Sequence, residues 1–244
     1  MYFGLSEDQI FFQDNVKKFL EDNAPLDLIR KISKGEDLNQ KNEIHSGIIN
    51  LGINNILVPE EHGGLGLDLL FATAISQSIG GAVAPLPYCG SYVMAPIAIQ
   101  IGASKSQKEN IFNEMSSSNI KFGIAFSEYF GSRDSSSINF SNEKINGKTI
   151  FAIDCDYATD VLVSDASGKI GIVSIEDNGI EIVDLITVDK TRTYKEIKFS
   201  NANVEILENT KKNTDAIEKA LDAGRIITAA DTLGASQAML DKAV

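Results

Sequence analysis

The sequence predicts a multi-domain α+β protein: an all-helical front, a middle antiparallel β-barrel or sandwich, and the first helix of a C-terminal helical bundle. Three observations carry this. Helix caps and apolar residues at helical spacing recur up to about residue 119. Short β-branched runs separated by turn residues follow up to about residue 211. A segment rich in Ala and Gly then returns to helical spacing. The expected domains are therefore 1–119, 120–211 and 212–244, the last incomplete.

The front helices come in order. Ser6 with Gln9 makes a capping box, Leu5 and Ile10 can staple it, and Phe12, Val16, Phe19 and Leu20 share one face. Asn23-Ala24-Pro25 ends that helix. A second carries Leu26, Ile29 and Ile32, and a third carries Ile44, Ile48, Ile49 and Leu51 toward Gly52. Gly63, Gly64 and Gly66 then crowd one loop, Val58–Leu67. It lacks the Lys-Ser/Thr of a P-loop and does not follow the G-x-G-x-x-G order, so a structural turn is expected. His62 in that loop reads as a surface or capping residue. A helix from Asp68 is predicted to end at Gly80-Gly81, and another from about Ser91 at Gly102. Ser104 with Gln107 caps the last of the set, and Ser116–Asn119 is a linker.

In the strand half, Asn146-Gly147 is the strongest hairpin signal. Ser167-Gly168 separates a second strand pair, Asn178-Gly179 leads into Ile180–Val183, and Tyr194–Phe199 and Val204–Leu207 close the set. Thr214 can cap the final helix. Its small residues, among them Ala223, Gly224, Ala230 and Gly234, suit close packing on other helices.

Composition excludes several classes. Hydrophobic content of 43% and charged content of 23% are ordinary for a soluble globular chain of 244 residues. A net charge of −12 without a Lys or Arg run argues against a nucleic-acid partner. Two separated cysteines and two histidines offer no metal-type spacing, and reduced thiols point to a cytoplasmic address. No run of about 20 apolar residues could span a bilayer.

The chemistry-bearing stretch is Phe122-Gly-Ile-Ala-Phe-Ser-Glu-Tyr-Phe-Gly-Ser-Arg-Asp134. Phe122, Ile124 and Phe126 alternate as a strand, which then opens into hydroxyls, a glycine and the Arg133-Asp134 pair. Such a strand end suits a flat, acceptor-rich ring followed by phosphates. An ordinary domain-boundary loop explains the same residues, so both readings stay open.

Taken with the Pro59-Glu-Glu-His-Gly-Gly-Leu-Gly66 loop, the order of domains, Asp222-Ala-Gly-Arg225 and Leu233-Gly-Ala-Ser-Gln237, the chain resembles the flavin-dependent acyl-CoA dehydrogenase family over about the first two-thirds of a member. The resemblance implies FAD as cofactor, an acyl-CoA thioester as substrate, an electron-transfer protein as acceptor, and a homo- or hetero-oligomer. The family's Thr-Glu-Pro-x-Ala-Gly-Ser-Asp loop falls on Ser127–Asp134. This implies cofactor contacts from Ile124, Phe126, Ser127, Ser132 and Arg133, with Arg133 also near acyl-CoA. The family's Trp-Ile-Thr segment falls on Phe151-Ala-Ile153, giving Phe151 and Ile153 a place beside the flavin ring. Asp222 and Arg225 match an Asp-x-x-Arg that contacts the CoA ester; from the residues alone they are equally an i,i+3 ion pair. Tyr129, Arg133 and Ile153 depart from the pattern, as in branches that take bulky acyl groups, some built from two different subunits.

The implied reaction removes an α-proton by a carboxylate base while the β-hydrogen leaves as hydride. The family's usual base lies beyond residue 244. Glu218, Asp222, Asp231 and Asp241 are unphased candidates, and no catalytic residue is assigned. Two other functions fit the same residues, a flavin monooxygenase or oxidase and a non-catalytic partner subunit. The isolated chain is expected to be flavin-free or to bind flavin weakly, to be inactive on acyl-CoA, and to be prone to associate.

Overall fold

The computed structural model describes residues 4–131 and 137–244. Helix α1 (Glu7–Asn23) starts as its sequence dictates. The Gln9 N–H donates to Ser6 Oγ at 3.2 Å, and the Ser6 N–H donates to Gln9 Oε1 at 2.9 Å. Its Val16 and Leu20 are buried against α2 (Leu26–Ile32) and α3 (Leu38–Asn50) residues such as Ile29, Ile44 and Ile48. In the glycine-rich loop a Cβ on Gly64 would stand 2.1 Å from the Val58 carbonyl oxygen. That loop is therefore a tight turn that only glycine closes. His62 stacks on Phe112 at 5.6 Å between ring centroids.

Helix α4 (Leu69–Ala82) begins at an Asp68 cap but runs through Gly80-Gly81 instead of ending there as the sequence predicts. The glycines serve a crossing instead. A Cβ on Gly80 would lie 2.0 Å from the Asp231 carbonyl oxygen, and one on Gly234 would lie 1.9 Å from that of Gln77. The helix stops at Val83, which takes the left-handed conformation with φ +52°. The helix expected from Ser91 also differs. It opens earlier, as a π-helical turn Tyr88–Met94, and continues as α5 (Ala95–Gly102). Helix α6 (Lys105–Ser116) carries the predicted Ser104–Gln107 capping box.

The middle of the chain forms one sheet from β1 (Phe122–Ala125), β2 (Asn139–Ser141), β3 (Lys144–Ile153), β4 (Asp160–Ser164), β5 (Ile170–Ser174), β6 (Ile180–Asp184), β7 (Tyr194–Asn203) and β8 (Glu205–Ile206). Its order is β6-β7-β3-β1-β4-β5-β8, with β2 added on β3. The sheet is mixed, because β1 pairs with β4 in parallel, Ile124 opposite Leu162; the other pairs are antiparallel.

The Asn146-Gly147 hairpin is corrected by the register. Those residues lie inside β3, at an irregularity between Ile145 and Gly147 in its pairing with β7. Gly147 is needed because a Cβ there would meet the Ser137 carbonyl oxygen at 2.3 Å. The actual turn is Asn142-Glu143, both left-handed at φ +51° and +58°, between the paired Ser141 and Lys144. That geometry matches the right-handed twist of two strands joined by two residues.

Helix α7 (Asn213–Ala243) closes the described chain. Thr214 lies inside it, and the cap position, Lys212, makes no side-chain bond to the helix. Phe112, Phe122, Leu162 and Ile217 share one buried cluster, which ties α6, β1, β4 and α7 together. The C-terminal end of β1 is thereby set against the middle of α7. Among the described residues no helix is long and apolar enough to cross a membrane, and no group of three or more His, Cys, Asp or Glu could hold a metal ion.

His45 is a buried titrating group. Its Nε2 is 2.6 Å from the Tyr92 hydroxyl and its ring stacks on Tyr157 at 3.9 Å. Burial, then Lys121 and Lys41, hold its pKa down at about 4. As pH falls through about 6.5 the unfolded chain binds a proton that the folded chain refuses until about 4. Folded stability is thus lost across that window. Asp154, raised by burial to about 6, acts in the opposite sense, so the comparison must be between variants. The stability advantage of wild type over His45→Gln should shrink by about 2 kcal/mol between pH 7 and pH 5. Urea unfolding at both pH values measures it; a constant difference refutes it.

Candidate functional site

Where β1 ends, Phe126 leads into a 3-10 turn, Ser127–Phe130. Beside it Ile153 of β3 stands opposite Ile124. Across from both, α7 presents Leu221, Gly224, Arg225 and Thr228. Between these elements lies an open, mostly apolar cavity of about 590 Å³. Six of the sequence-predicted residues line it: Ile124, Phe126, Ser127, Phe151, Ile153 and Arg225. Asp222 does not. It accepts from Arg225 Nη1 at 2.6 Å, both side chains being largely exposed, as an i,i+3 ion pair. Ser132 and Arg133 lie outside the described residues.

Phe151 is the one bulky residue here in a left-handed conformation, φ +58°. It sits where the β3–β7 register shifts between Thr149 and Ala152. The extra residue of a bulge turns its ring out of the sheet and into the cavity, leaving it 57% exposed. A backbone of this kind costs on the order of 1–3 kcal/mol, and such residues cluster at functional sites.

Ser127 Oγ lies 2.9 Å from Thr149 Oγ1, and Thr149 is fully buried. The hydroxyl at the strand end is thus aimed by β3 and keeps hydrogen-bonding capacity beyond that bond. Tyr129 donates its hydroxyl to Glu218 Oε1 at 2.9 Å, tying the turn to α7.

The four acidic candidates are all engaged elsewhere. Glu218 accepts from Tyr129, Asp222 from Arg225, Asp231 from Arg192 at 2.5 Å and Asp241 from Gln237 at 2.7 Å. No Asp or Glu is among the described residues that line the cavity.

Sequence reasoning missed part of the wall. On α7, Leu221, Gly224, Thr228 and Thr232 follow Arg225's face at helical spacing, and phasing from Arg225 would have found them. Cys89 and Met94 come from the π-helical turn, which leaves no periodic signal. Burial pushes the Cys89 thiol up to about 12, with Asp154 adding to the shift, so it is a neutral wall residue.

Comparison with known proteins shows what the chain is similar to. Residues 6–119 match the acyl-CoA dehydrogenase N-terminal domain. The chain is 26% identical over 268 residues to mitochondrial isovaleryl-CoA dehydrogenase of Pongo abelii, covering 99% of this chain and 62% of that protein. The chain is similar to acyl-CoA dehydrogenases over nearly its whole length.

Two solved structures share the fold of this chain. A glutaryl-coenzyme A dehydrogenase in complex with glutaryl-CoA superposes with a TM-score of 0.82 at 20% identity, covering 99% of this chain and 66% of that one. A chain of the ChsE4–ChsE5 complex from Mycobacterium tuberculosis superposes with 0.83 at 19% identity, covering 99% and 67%. The chain thus spans a little over three-fifths of the length of that curated relative.

Proposed function

We propose that this chain forms the ring-binding half of an FAD-dependent acyl-CoA dehydrogenase site, acting on the α,β-bond of an acyl-CoA thioester. The observation that supports it most is the meeting of the β1 strand end, the turned-out Phe151 and α7 around one cavity. Its lining fits the ring end of the cofactor. The walls are apolar and aromatic, the volume of about 590 Å³ admits a tricyclic ring, and one oriented hydroxyl stands at the strand end.

In this reading Phe151 and Ile153 pack on the ring, Ile124 and Phe126 form the floor, and Ser127 supplies a hydrogen bond to its polar edge. Arg225, steadied by Asp222, and the Ser132–Arg133 segment serve the CoA ester and phosphates. FAD, when bound, supplies hydride acceptance. The chain's own residues orient the thioester and exclude water from it. Electrons pass on to an acceptor protein, and the assembly is a homo- or hetero-oligomer.

The absence of a carboxylate among the described lining residues favours a second reading. The chain would then be the non-catalytic partner in a two-subunit dehydrogenase, completing a flavin site with residues from another chain.

Ser127→Ala tests the ring-binding role. It should weaken FAD by about 0.5–1.5 kcal/mol, as for one neutral hydrogen bond. Removing the partner of buried Thr149 should also cost about 1–2 kcal/mol of stability. Equal FAD affinity, measured by fluorescence titration, would remove Ser127 from the site.

A further inference from the structure

The π-helical turn Tyr88–Met94 gives the cavity its sulfur wall, Cys89 and Met94. A helix leaves its first N–H groups without partners of its own. Pro87, the residue ahead of this turn, makes no side-chain bond to it. The acceptor comes instead from 64 residues further on. Asp154 Oδ2 accepts the Gly90 and Ser91 N–H groups at 2.5 and 3.3 Å.

The end of β3 puts Asp154 in reach. Its neighbour Ile153 is the last residue of that strand, stands opposite Ile124 and lines the cavity. Asp154 itself is left-handed, φ +58°, a conformation that Asp tolerates better than most residues. Adjacent residues thus serve two walls. Ile153 lines the cavity from the sheet, and Asp154 holds the turn that lines it from the helical side. Gly90 completes the fit, since a Cβ there would stand 2.9 Å from Asp154 Oδ2 and 3.1 Å from Ile153 Cγ1. A second tie lies beside the first, where Ser91 donates its hydroxyl to the Phe122 carbonyl of β1 at 2.5 Å.

Burial raises the Asp154 carboxyl to about 6, opposed by the Gly90 and Ser91 N–H groups and by Arg192. At neutral pH it is therefore ionised, and a bond to an ionised acceptor is about twice as strong as a neutral one.

We propose that Asp154 is a positioning residue of the ring site, fixing the Cys89–Met94 wall against the end of β3 through the Gly90 and Ser91 N–H groups. It does not itself line the cavity. The inference rests on the flavin reading above. Without the carboxylate, Cys89 and Met94 lose their fixed distance from Ile153 and from Gly224 of α7, whose carbonyl oxygen lies 3.7 Å from Cys89 Sγ.

Cys89 reports the wall directly. Its alkylation by N-ethylmaleimide, followed by peptide mass spectrometry on residues 1–244, should be at least about tenfold faster in Asp154→Ala than in the wild type. Asp154→Asn loses the charge but keeps an oxygen for both N–H groups, and should stay within about threefold of the wild type. That contrast separates position from charge, because the Asp154 charge also raises the Cys89 pKa. Gly90→Ala keeps the charge and crowds the carboxylate, so it should match Asp154→Ala, and it decides alone if Asp154→Ala does not fold. Val204→Ala, a core deletion outside the cavity lining, should leave the rate unchanged.

A wild-type rate in Asp154→Ala or Gly90→Ala, an Asp154→Asn rate equal to that of Asp154→Ala, or a Val204→Ala rate as high as either overturns the proposal. FAD affinity, titrated separately, should fall about tenfold in Asp154→Ala and recover in Asp154→Asn. Unchanged FAD affinity in Asp154→Ala likewise overturns the role in the ring site. A wild type that binds no FAD refutes the flavin reading and leaves the labelling contrast as it is.

Discussion

Gly80→Ala and Gly234→Ala are each expected to destabilise the folded chain by about 2–3 kcal/mol, while Gly81→Ala is neutral or stabilising. A Cβ at Gly80 or Gly234 would fall 2.0 or 1.9 Å from a backbone carbonyl oxygen of the facing helix, where no side-chain adjustment can relieve it. The helices must then move apart, and overpacking of this kind costs about 1–3 kcal/mol or more. At Gly81 the nearest atom, the Gly234 carbonyl oxygen, is 3.5 Å away, an ordinary contact. There alanine gains helix propensity, about 0.5–1 kcal/mol. Urea unfolding of the three variants decides it. A Gly80→Ala protein as stable as Gly81→Ala would mean that the α4–α7 crossing is looser than described.

Residues 1–244 should not turn over acyl-CoA. The cavity holds no carboxylate among its described lining residues, and Glu218, Asp222, Asp231 and Asp241 of α7 are bonded to Tyr129, Arg225, Arg192 and Gln237. A positioned general base is worth about 10²–10⁴ in rate. Anaerobic mixing with FAD and an acyl-CoA should leave the flavin absorbance unbleached. Bleaching would require a base within this chain that the geometry does not offer. Restoring activity by adding a carboxylate-bearing partner, as further chain or as a second subunit, is the expected complement.

What the sequence made legible was local. The capping boxes at Ser6–Gln9 and Ser104–Gln107 involve residues three apart, so their logic survives folding unchanged. The β4–β5 hairpin around Ser167-Gly168 is likewise a matter of neighbours. The strand end at Ser127 was readable because the alternation of Phe122, Ile124 and Phe126 stops there, and it does reach the cavity. Glycines misled where their reason was distant. Gly80 yields to a helix some 150 residues on, and Gly147 to the backbone at Ser137. The π-helical turn hid Cys89 and Met94, since an added residue breaks helical phase. Asp154 and Arg192 had no sequence signal at all. They converge only because β3, the β6–β7 connection and α7 meet behind the cavity.

Flavin titration of the wild type and Ala229→Trp tests the central claim most directly. Ala229 lines the cavity and is exposed, so an indole there fills the space without entering the core. The wild type should bind FAD, with quenched flavin fluorescence and a perturbed visible spectrum, and Ala229→Trp should bind at least about tenfold more weakly, the 1.4 kcal/mol expected of a blocked ring contact. Equal affinity of the two proteins, or no FAD binding by the wild type in any assembly, would contradict a flavin ring between β1, Phe151 and α7.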